Sequence, residues 1–167
     1  MIVAETPRLR LRRLRHADFE DVFAIASDPE QMRYYPRPKT RDEVRAWLDW
    51  NLSLYERHGF GTWAVETAPD RRFAGYCGIR PVTVDGSDEF ELAWQIRKTY
   101  WNRGLGTEAA GLAADLAFTR FDLTRLVALI HPDNAPSRRV AEKLGMREER
   151  ALIHDGDPTV IFIAAES

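Results

Sequence analysis

Between Glu89 and Ile130 the chain changes its hydrophobic period twice, and no other feature restricts the fold as much. Residues 89–97 read as a strand. Gly104 to Arg120 then repeats apolar residues at helical spacing, with Leu105, Ala109, Leu112, Ala113, Leu116 and Ala117 on one face. Leu126-Val127-Ala128-Leu129-Ile130 is a short unbroken apolar run, the mark of a strand covered on both faces. Strand, helix and strand in succession make a crossover between parallel strands.

The flanking segments complete a sheet. Thr62–Glu66, Phe73–Val84 and Glu89–Arg97 form an antiparallel meander, joined by turns at Pro69-Asp70 and at Asp85-Gly86-Ser87-Asp88. After the crossover, Pro136–Leu144 is helical, and Arg147–His154 and Thr159–Ala164 are strands around the turn Asp155-Gly156-Asp157-Pro158. Near the N-terminus, Arg8-Leu9-Arg10-Leu11-Arg12 alternates as a strand. A helix carrying Phe19, Val22, Phe23 and Ala26 follows, with Asp18 or a neighbour as its cap and Pro29 at its end. Tyr34 to Pro38 is a loop. Thr40 and Glu43 then form a capping box that opens a helix to about Arg57, with Val44, Trp47, Leu48, Leu52 and Tyr55 as its apolar stripe. The expected fold is a single α/β domain over residues 1–167. It has one mixed, mostly antiparallel sheet of six to seven strands, helices on both faces and one parallel crossover.

Composition narrows the function. Of 167 residues, 24 are Lys or Arg and 26 are Asp or Glu, for a formal charge of −2. Binding nucleic acid takes a surplus of cations, so this balance argues against a dedicated DNA-binding domain, and the five arginines from Arg8 to Arg15 read as a solvated strand face. One cysteine, Cys77, rules out a disulfide framework and a multi-cysteine zinc site; within a strand it reads as core. His16, His58, His131 and His154 have no metal-ligand spacing. No apolar run approaches a membrane span of about 18 residues. The opening Met1-Ile2-Val3-Ala4-Glu5 lacks the charged and apolar regions of a secretory signal, so a cytoplasmic location is expected.

Chemistry concentrates at Arg103-Gly104-Leu105-Gly106-Thr107-Glu108-Ala109, at the head of the crossover helix. The first amides of a helix lack partners and point outward, and glycine lets a ligand approach them. With Arg103 beside them they suit a diphosphate. A Walker loop is excluded, because Thr107-Glu108 stand where Lys and Ser or Thr are needed. Gly104-x-Gly106-x-x-Ala109 fits a dinucleotide fingerprint, but six residues separate it from the preceding strand and no second β-α-β unit exists. A helix start that uses glycine only for packing also stays open.

At this point the sequence resembles the GNAT N-acetyltransferases, in the branch that contains the ribosomal-protein N-terminal (alanine or serine) acetyltransferases. Thr6-Pro7-Arg8-Leu9-Arg10-Leu11-Arg12 is similar to that branch's opening strand, and His16-Ala17-Asp18 to its first helix start. Glu91-Leu92-Ala93-Trp94-Gln95-Ile96 is similar to its central strand, and Tyr100 to Ala109 to its pyrophosphate loop. Asn134-Ala135-Pro136-Ser137 with Glu142-Lys143-Leu144-Gly145-Met146 is similar to its following block. Trp101 replaces the Gln or Arg of the general pattern, and Ala93 its strand glycine.

The resemblance implies acetyl-CoA as co-substrate, no metal, and an amine acceptor that is a small molecule or a protein N-terminus. It implies no nucleic acid or membrane partner and leaves a homodimer open. It places backbone groups of Trp94, Gln95 and Ile96 against the pantetheine arm. The loop Asn102, Arg103, Gly104, Leu105, Gly106 and Thr107 would hold the pyrophosphate. Asn134 would bond the arm, and Ser137 would lie near the sulfur as proton donor. As alternatives, Asn134 and Ser137 serve as helix caps. Glu91 is the candidate base for the acceptor ammonium, or else the partner of an arginine; Asp88, Glu89 and His131 are lesser candidates. A backbone N–H near Trp94 or Gln95 would stabilise the oxyanion. Two other readings stay open: a module that binds acyl-CoA without chemistry, and a dinucleotide-dependent oxidoreductase.

Overall fold

A computed structural model describes residues 1–165. The elements run β1 (Ile2–Glu5), β2 (Leu9–Arg13), a 3-10 turn (His16–Asp18), α1 (Phe19–Ala26), α2 (Arg41–His58), β3 (Thr62–Thr67), β4 (Phe73–Val84) and β5 (Ser87–Ile96). They continue with a 3-10 turn (Lys98–Tyr100), α3 (Leu105–Thr119), β6 (Arg125–Ile130), α4 (Ala135–Lys143), β7 (Arg147–His154) and β8 (Asp157–Ala165). The strands form one sheet in the order β1-β2-β3-β4-β5-β6-β8-β7. Every neighbouring pair is antiparallel except β5 and β6, which α3 connects.

Local chemistry explains the boundaries. Thr40 Oγ1 accepts from the Glu43 amide at 3.2 Å, and the Glu43 carboxylate accepts from the Thr40 amide at 2.8 Å, so the expected capping box starts α2. The β4–β5 and β7–β8 turns are the pairs Asp85-Gly86 and Asp155-Gly156, all four residues at positive φ. That backbone matches the twist of a two-residue hairpin. Pro158 consequently belongs to β8 rather than to the turn.

The two sheet faces carry different helices. α1 and α2 place Val22, Ile25, Val44 and Leu48 against Ala64 and Phe73. On the other face, the alanines at 109, 110, 113 and 117 let α3 lie close over Leu11, Trp63, Cys77, Ile79 and Leu92. Burying each large apolar side chain contributes about 1.5–3 kcal/mol, so this layering accounts for most of the hydrophobic stabilisation. Cys77 is fully buried here, and burial pushes its thiol up, which fits a core role.

The structure departs from the sequence reading in three places near the N-terminus. It has eight strands rather than six or seven, because Ile2–Glu5 pairs with β2. Four residues are too short to show a period, and the exposed edge of β2 is what makes this segment a strand. The arginine face of β2 is not simply solvated. Arg12 is buried: its Nε donates to Glu66 at 2.6 Å, and its two Nη atoms donate to Asp18, each at 2.8 Å. Arg10 Nε meets the second Glu66 oxygen at 2.5 Å. Asp18 therefore does not cap α1 with its side chain; its carboxylate accepts from Arg12 and from the Arg15 amide.

Candidate active site

β5 and β6 meet at a single register pair, Glu91 with Val127. Beyond it β5 stays paired with β4 as far as Ile96, while β6 stays paired with β8 as far as Ile130. The parallel strands therefore part, and the opening runs from Glu91 toward the C-terminal ends of both. Backbone groups on a strand alternate between its two neighbours. The Arg97 amide donates to Ala74 of β4 at 2.7 Å, so Ile96 and Trp94 turn theirs into the opening. This corrects two of the expected contacts. Gln95 directs its backbone to β4 and offers the cleft its side chain. The Ile96 carbonyl is already taken, by the Trp101 indole at 2.7 Å and the Gln31 side chain at 3.1 Å. Trp101 thus acts structurally, closing the last carbonyl of β5.

At the base of the opening stands the head of α3. Its first helical bond runs from the Glu108 amide to the Gly104 carbonyl, and no side chain caps it. Among the described residues, the amides of Arg103, Gly104, Leu105, Gly106 and Thr107 have no protein acceptor. Gly104 has φ of 74°, which a branched side chain resists. Gly106 differs. Its φ is ordinary, and a Cβ there would meet nothing closer than Ile96 Cγ1 at 3.6 Å. Packing within the protein does not demand a glycine at 106, so the space it leaves lies on the open side of the loop. A phosphate group fits that cradle.

A cleft of about 250 Å³ joins this loop to the opening. It is lined by Trp94, Gln95, Ile96, Asn102, Gly104, Leu105, Gly106, Thr107, Asn134 and Ser137, which is the expected set apart from Arg103. The Arg103 side chain lies over the Tyr100 ring, 5.4 Å from its centroid, and its carbonyl accepts from Arg8. Asn134 caps α4 by accepting from the Ser137 amide at 3.2 Å, as the capping alternative anticipated. Among the described residues, no protein group bonds the Ser137 hydroxyl.

A second cleft, of about 560 Å³, lies against β4, β5 and the β7–β8 turn. Tyr34, Tyr35, Trp94, Gln95, Asn134 and Ser137 line both clefts and so mark their junction. Glu91 lines the second cleft only, 7% exposed, with Oε2 accepting from Arg80 Nε at 2.8 Å. The carboxylate burial expected in the central strand is thus accompanied by an arginine partner, and Glu91 Oε1 has none among the described residues. Coulombic attraction to Glu91 is the main reason the Arg80 guanidinium holds its proton more tightly than usual. Of the lesser candidates, His131 lines the cleft with its ring against Tyr34, whereas Asp88 accepts from Thr83 and Glu89 is engaged by Arg125, both outside it. The described residues contain no group of three or more His, Cys, Asp or Glu side chains placed to hold a metal.

Sequence reasoning missed Gln31, Arg80 and Tyr76; Tyr35 lies in the Tyr34–Lys39 loop, a segment expected to shape the acceptor pocket. Gln31 is buried and clamps the end of β5 with both ends of its amide, accepting from the Lys98 amide at 2.9 Å. It sits in an irregular loop with no period to betray it. Arg80 and Tyr76 only become site residues through their register with Glu91 and Gln95.

Comparison with known proteins gives the family and the fold. Residues 8–147 match the family described as acetyltransferase (GNAT) domain. The uncharacterized protein YkkB of Bacillus subtilis is 30% identical over 158 residues, covering 94% of this chain and 92% of that one. The spermidine N(1)-acetyltransferase of Escherichia coli is 26% identical over 156 residues, covering 88% and 77%. Among solved structures, the ribosomal L7/L12 α-N-protein acetyltransferase RimL, in complex with coenzyme A, superposes with a TM-score of 0.81 at 15% identity over 99% of this chain and 98% of that one.

Proposed function

The chain belongs to the GNAT acetyltransferase family, and from that premise we propose that it moves an acetyl group from acetyl-CoA to a primary amine by direct attack in a ternary complex. The observation that carries this reading is the parting of β5 from β6 directly above five unpartnered amides at the head of α3. Acetyl-CoA supplies the activated acyl group. The amides of residues 103–107 bind its diphosphate, and the outward carbonyl of Trp94 with the amide of Ile96 holds the pantetheine arm as an added strand would. Asn134 keeps its side-chain NH2 for the same arm while its oxygen caps α4.

The acceptor enters from the larger cleft and meets the thioester where the two clefts join. Glu91 takes the proton of its ammonium, directly or through water, with Oε1 as the available oxygen. The Trp94 amide faces the opening, where it stabilises the negative charge that develops on the carbonyl oxygen. Ser137 borders the junction with its hydroxyl unengaged, placed to protonate the departing thiolate. Holding both substrates in one geometry supplies a large share of the acceleration. The acceptor is a small amine or a protein N-terminus, and the setting is the cytoplasm.

Gly106→Val tests the cofactor half. It fills the cradle without the backbone strain that the same change brings at Gly104. Acetyl-CoA affinity by calorimetry should fall tenfold or more, on the order of the loss of one charge-assisted contact, with the melting point of the free protein held. Unchanged affinity would remove the loop as the phosphate site. Thiol release from acetyl-CoA with an amine panel tests the chemistry; binding without release would favour an acyl-CoA-sensing module instead.

A further inference from the structure

One wall of the larger cleft is crowded with hydrogen-bond donors. Arg80 donates through Nε to Glu91, and its two Nη atoms have no acceptor among the described residues, although the side chain is 29% exposed and lines the cleft. Tyr35 and Tyr76 lie within Coulombic reach of the same guanidinium, and neither hydroxyl donates to an acceptor among the described residues. Burial pushes the Tyr76 phenol up, so it keeps its proton as a donor. The Gln95 side-chain NH2 lies beside the Tyr35 hydroxyl and 3.9 Å from the thioether sulfur of Met32. Beside these donors Glu91 is engaged through Oε2; the other carboxylates lining the cleft are Glu43, held by Arg37, and Asp155 and Asp157. Of the last two, Asp155 lies in the β7–β8 turn and Asp157 opens β8.

An arginine whose terminal fork is open in a partly dry cleft is arranged for a bidentate oxyanion. We propose that Arg80, assisted by Tyr35 and Tyr76, binds an oxyanionic group of the acceptor, so that the substrate is a primary amine that also carries a carboxylate or a phosphate. The inference deepens the acetyl-transfer reading and rests on it for the word acceptor; the anion site itself stands on the geometry alone. The anchored oxyanion leaves the amine free to reach toward Gln95 and Ser137 at the junction. A polyamine entering the same way would bring a second ammonium against the like charge of the Arg80 guanidinium.

The probes are γ-aminobutyrate, O-phosphoethanolamine and n-butylamine. Each is titrated by calorimetry into the wild-type protein saturated with coenzyme A, then assayed by thiol release from acetyl-CoA. At least one anionic probe should bind about tenfold or more tightly than butylamine; comparing the carboxylate with the phosphate then identifies which oxyanion the site takes. Arg80→Gln should erase that preference. Arg80→Lys preserves a charge beside Glu91, so it keeps the fold, but loses the fork and should retain only part of the preference. Glu91→Gln should tighten the anionic probes, because it removes the competing carboxylate. A merely structural Arg80 would change all three probes alike. The assignment is overturned if no anionic probe outbinds butylamine on the wild type, or if the preference survives in Arg80→Gln. Selective binding without thiol release would instead keep the anion site and sink the acetyl-transfer reading.

Discussion

Arg12 and Arg80 each face a buried glutamate on the neighbouring strand, and the two sites have opposite characters. Arg12 is engaged at every nitrogen: Nε reaches Glu66, both Nη atoms reach Asp18, and Nη1 also donates to the Arg13 carbonyl at 3.1 Å. Arg80 makes one bond through Nε and presents the rest of its guanidinium to a cleft. The first arrangement closes on itself and ties β2, β3 and the start of α1 together. The second leaves its terminal fork open to the cleft. Removing one partner of a closed buried pair leaves an uncompensated charge, so its cost falls on stability. An open pair has donors to spare, and its cost falls on binding and rate.

The contrast breaks first if Arg12 is dispensable. Arg12→Met should destabilise the fold by about 3–5 kcal/mol, since it strands Asp18 and part of Glu66 in the interior. Urea unfolding measures this, and the folded variant should bind acetyl-CoA as the wild type does. A loss below about 1 kcal/mol would mean that the network is ornamental. On the open side, Glu91→Gln should lower turnover about a hundredfold, the lower end of what a general base contributes. Its acetyl-CoA affinity should not change. Equal turnover in the variant would remove Glu91 as the base and leave it as the partner of Arg80.

Acid sharpens the same comparison with the smallest effect. Burial pushes the carboxyls of Asp18 and Glu66 up, but bonds from Arg12, joined by the Arg15 amide for Asp18 and by Arg10 for Glu66, outweigh it and hold both below the usual range. A carboxylate with a depressed pKa in the folded state contributes stability that is complete above its unfolded value, about 4. That stability is lost as pH falls through the folded value. The wild type should therefore hold its unfolding free energy down to about pH 4 and lose it below. Arg12→Met should flatten that loss, because the shift that produces it is gone; a profile parallel to the wild type would place the acid-sensitive groups elsewhere.

Much of the site was legible along the chain because its signals are local. The glycines at 104 and 106 precede a 3.6-period segment, Asn134 stands where a helix begins, and the capping box at Thr40 is a contiguous pattern. The misreadings share one cause. Arg10 and Arg12 look like a wet strand face because alternation records which residues share a side, not what lies across from them. Asp18 looks like a cap because a cap is the local use of an aspartate, and Arg12 offered it a stronger one. Ile96 looks available to a ligand until Trp101 and Gln31 fold back onto its carbonyl.

Sequence alone determined the order of the elements from β2 onward, the single crossover, the head of α3 as the candidate cofactor site and the acetyltransferase family. The elements, the crossover and the helix head follow from period, turn chemistry and unsatisfied helix amides, which act over a few residues, whereas the family came from the resemblance of its motifs. Only the tertiary structure decided where β5 leaves β6, which backbone groups of Trp94 to Ile96 stay free, and which of two similar arginines is closed and which is open. Hydrogen-bond saturation is a property of all the groups that converge on an atom. For Arg80 those groups come from β4, β5 and the loop before α2, and their separation in sequence hides their meeting in space.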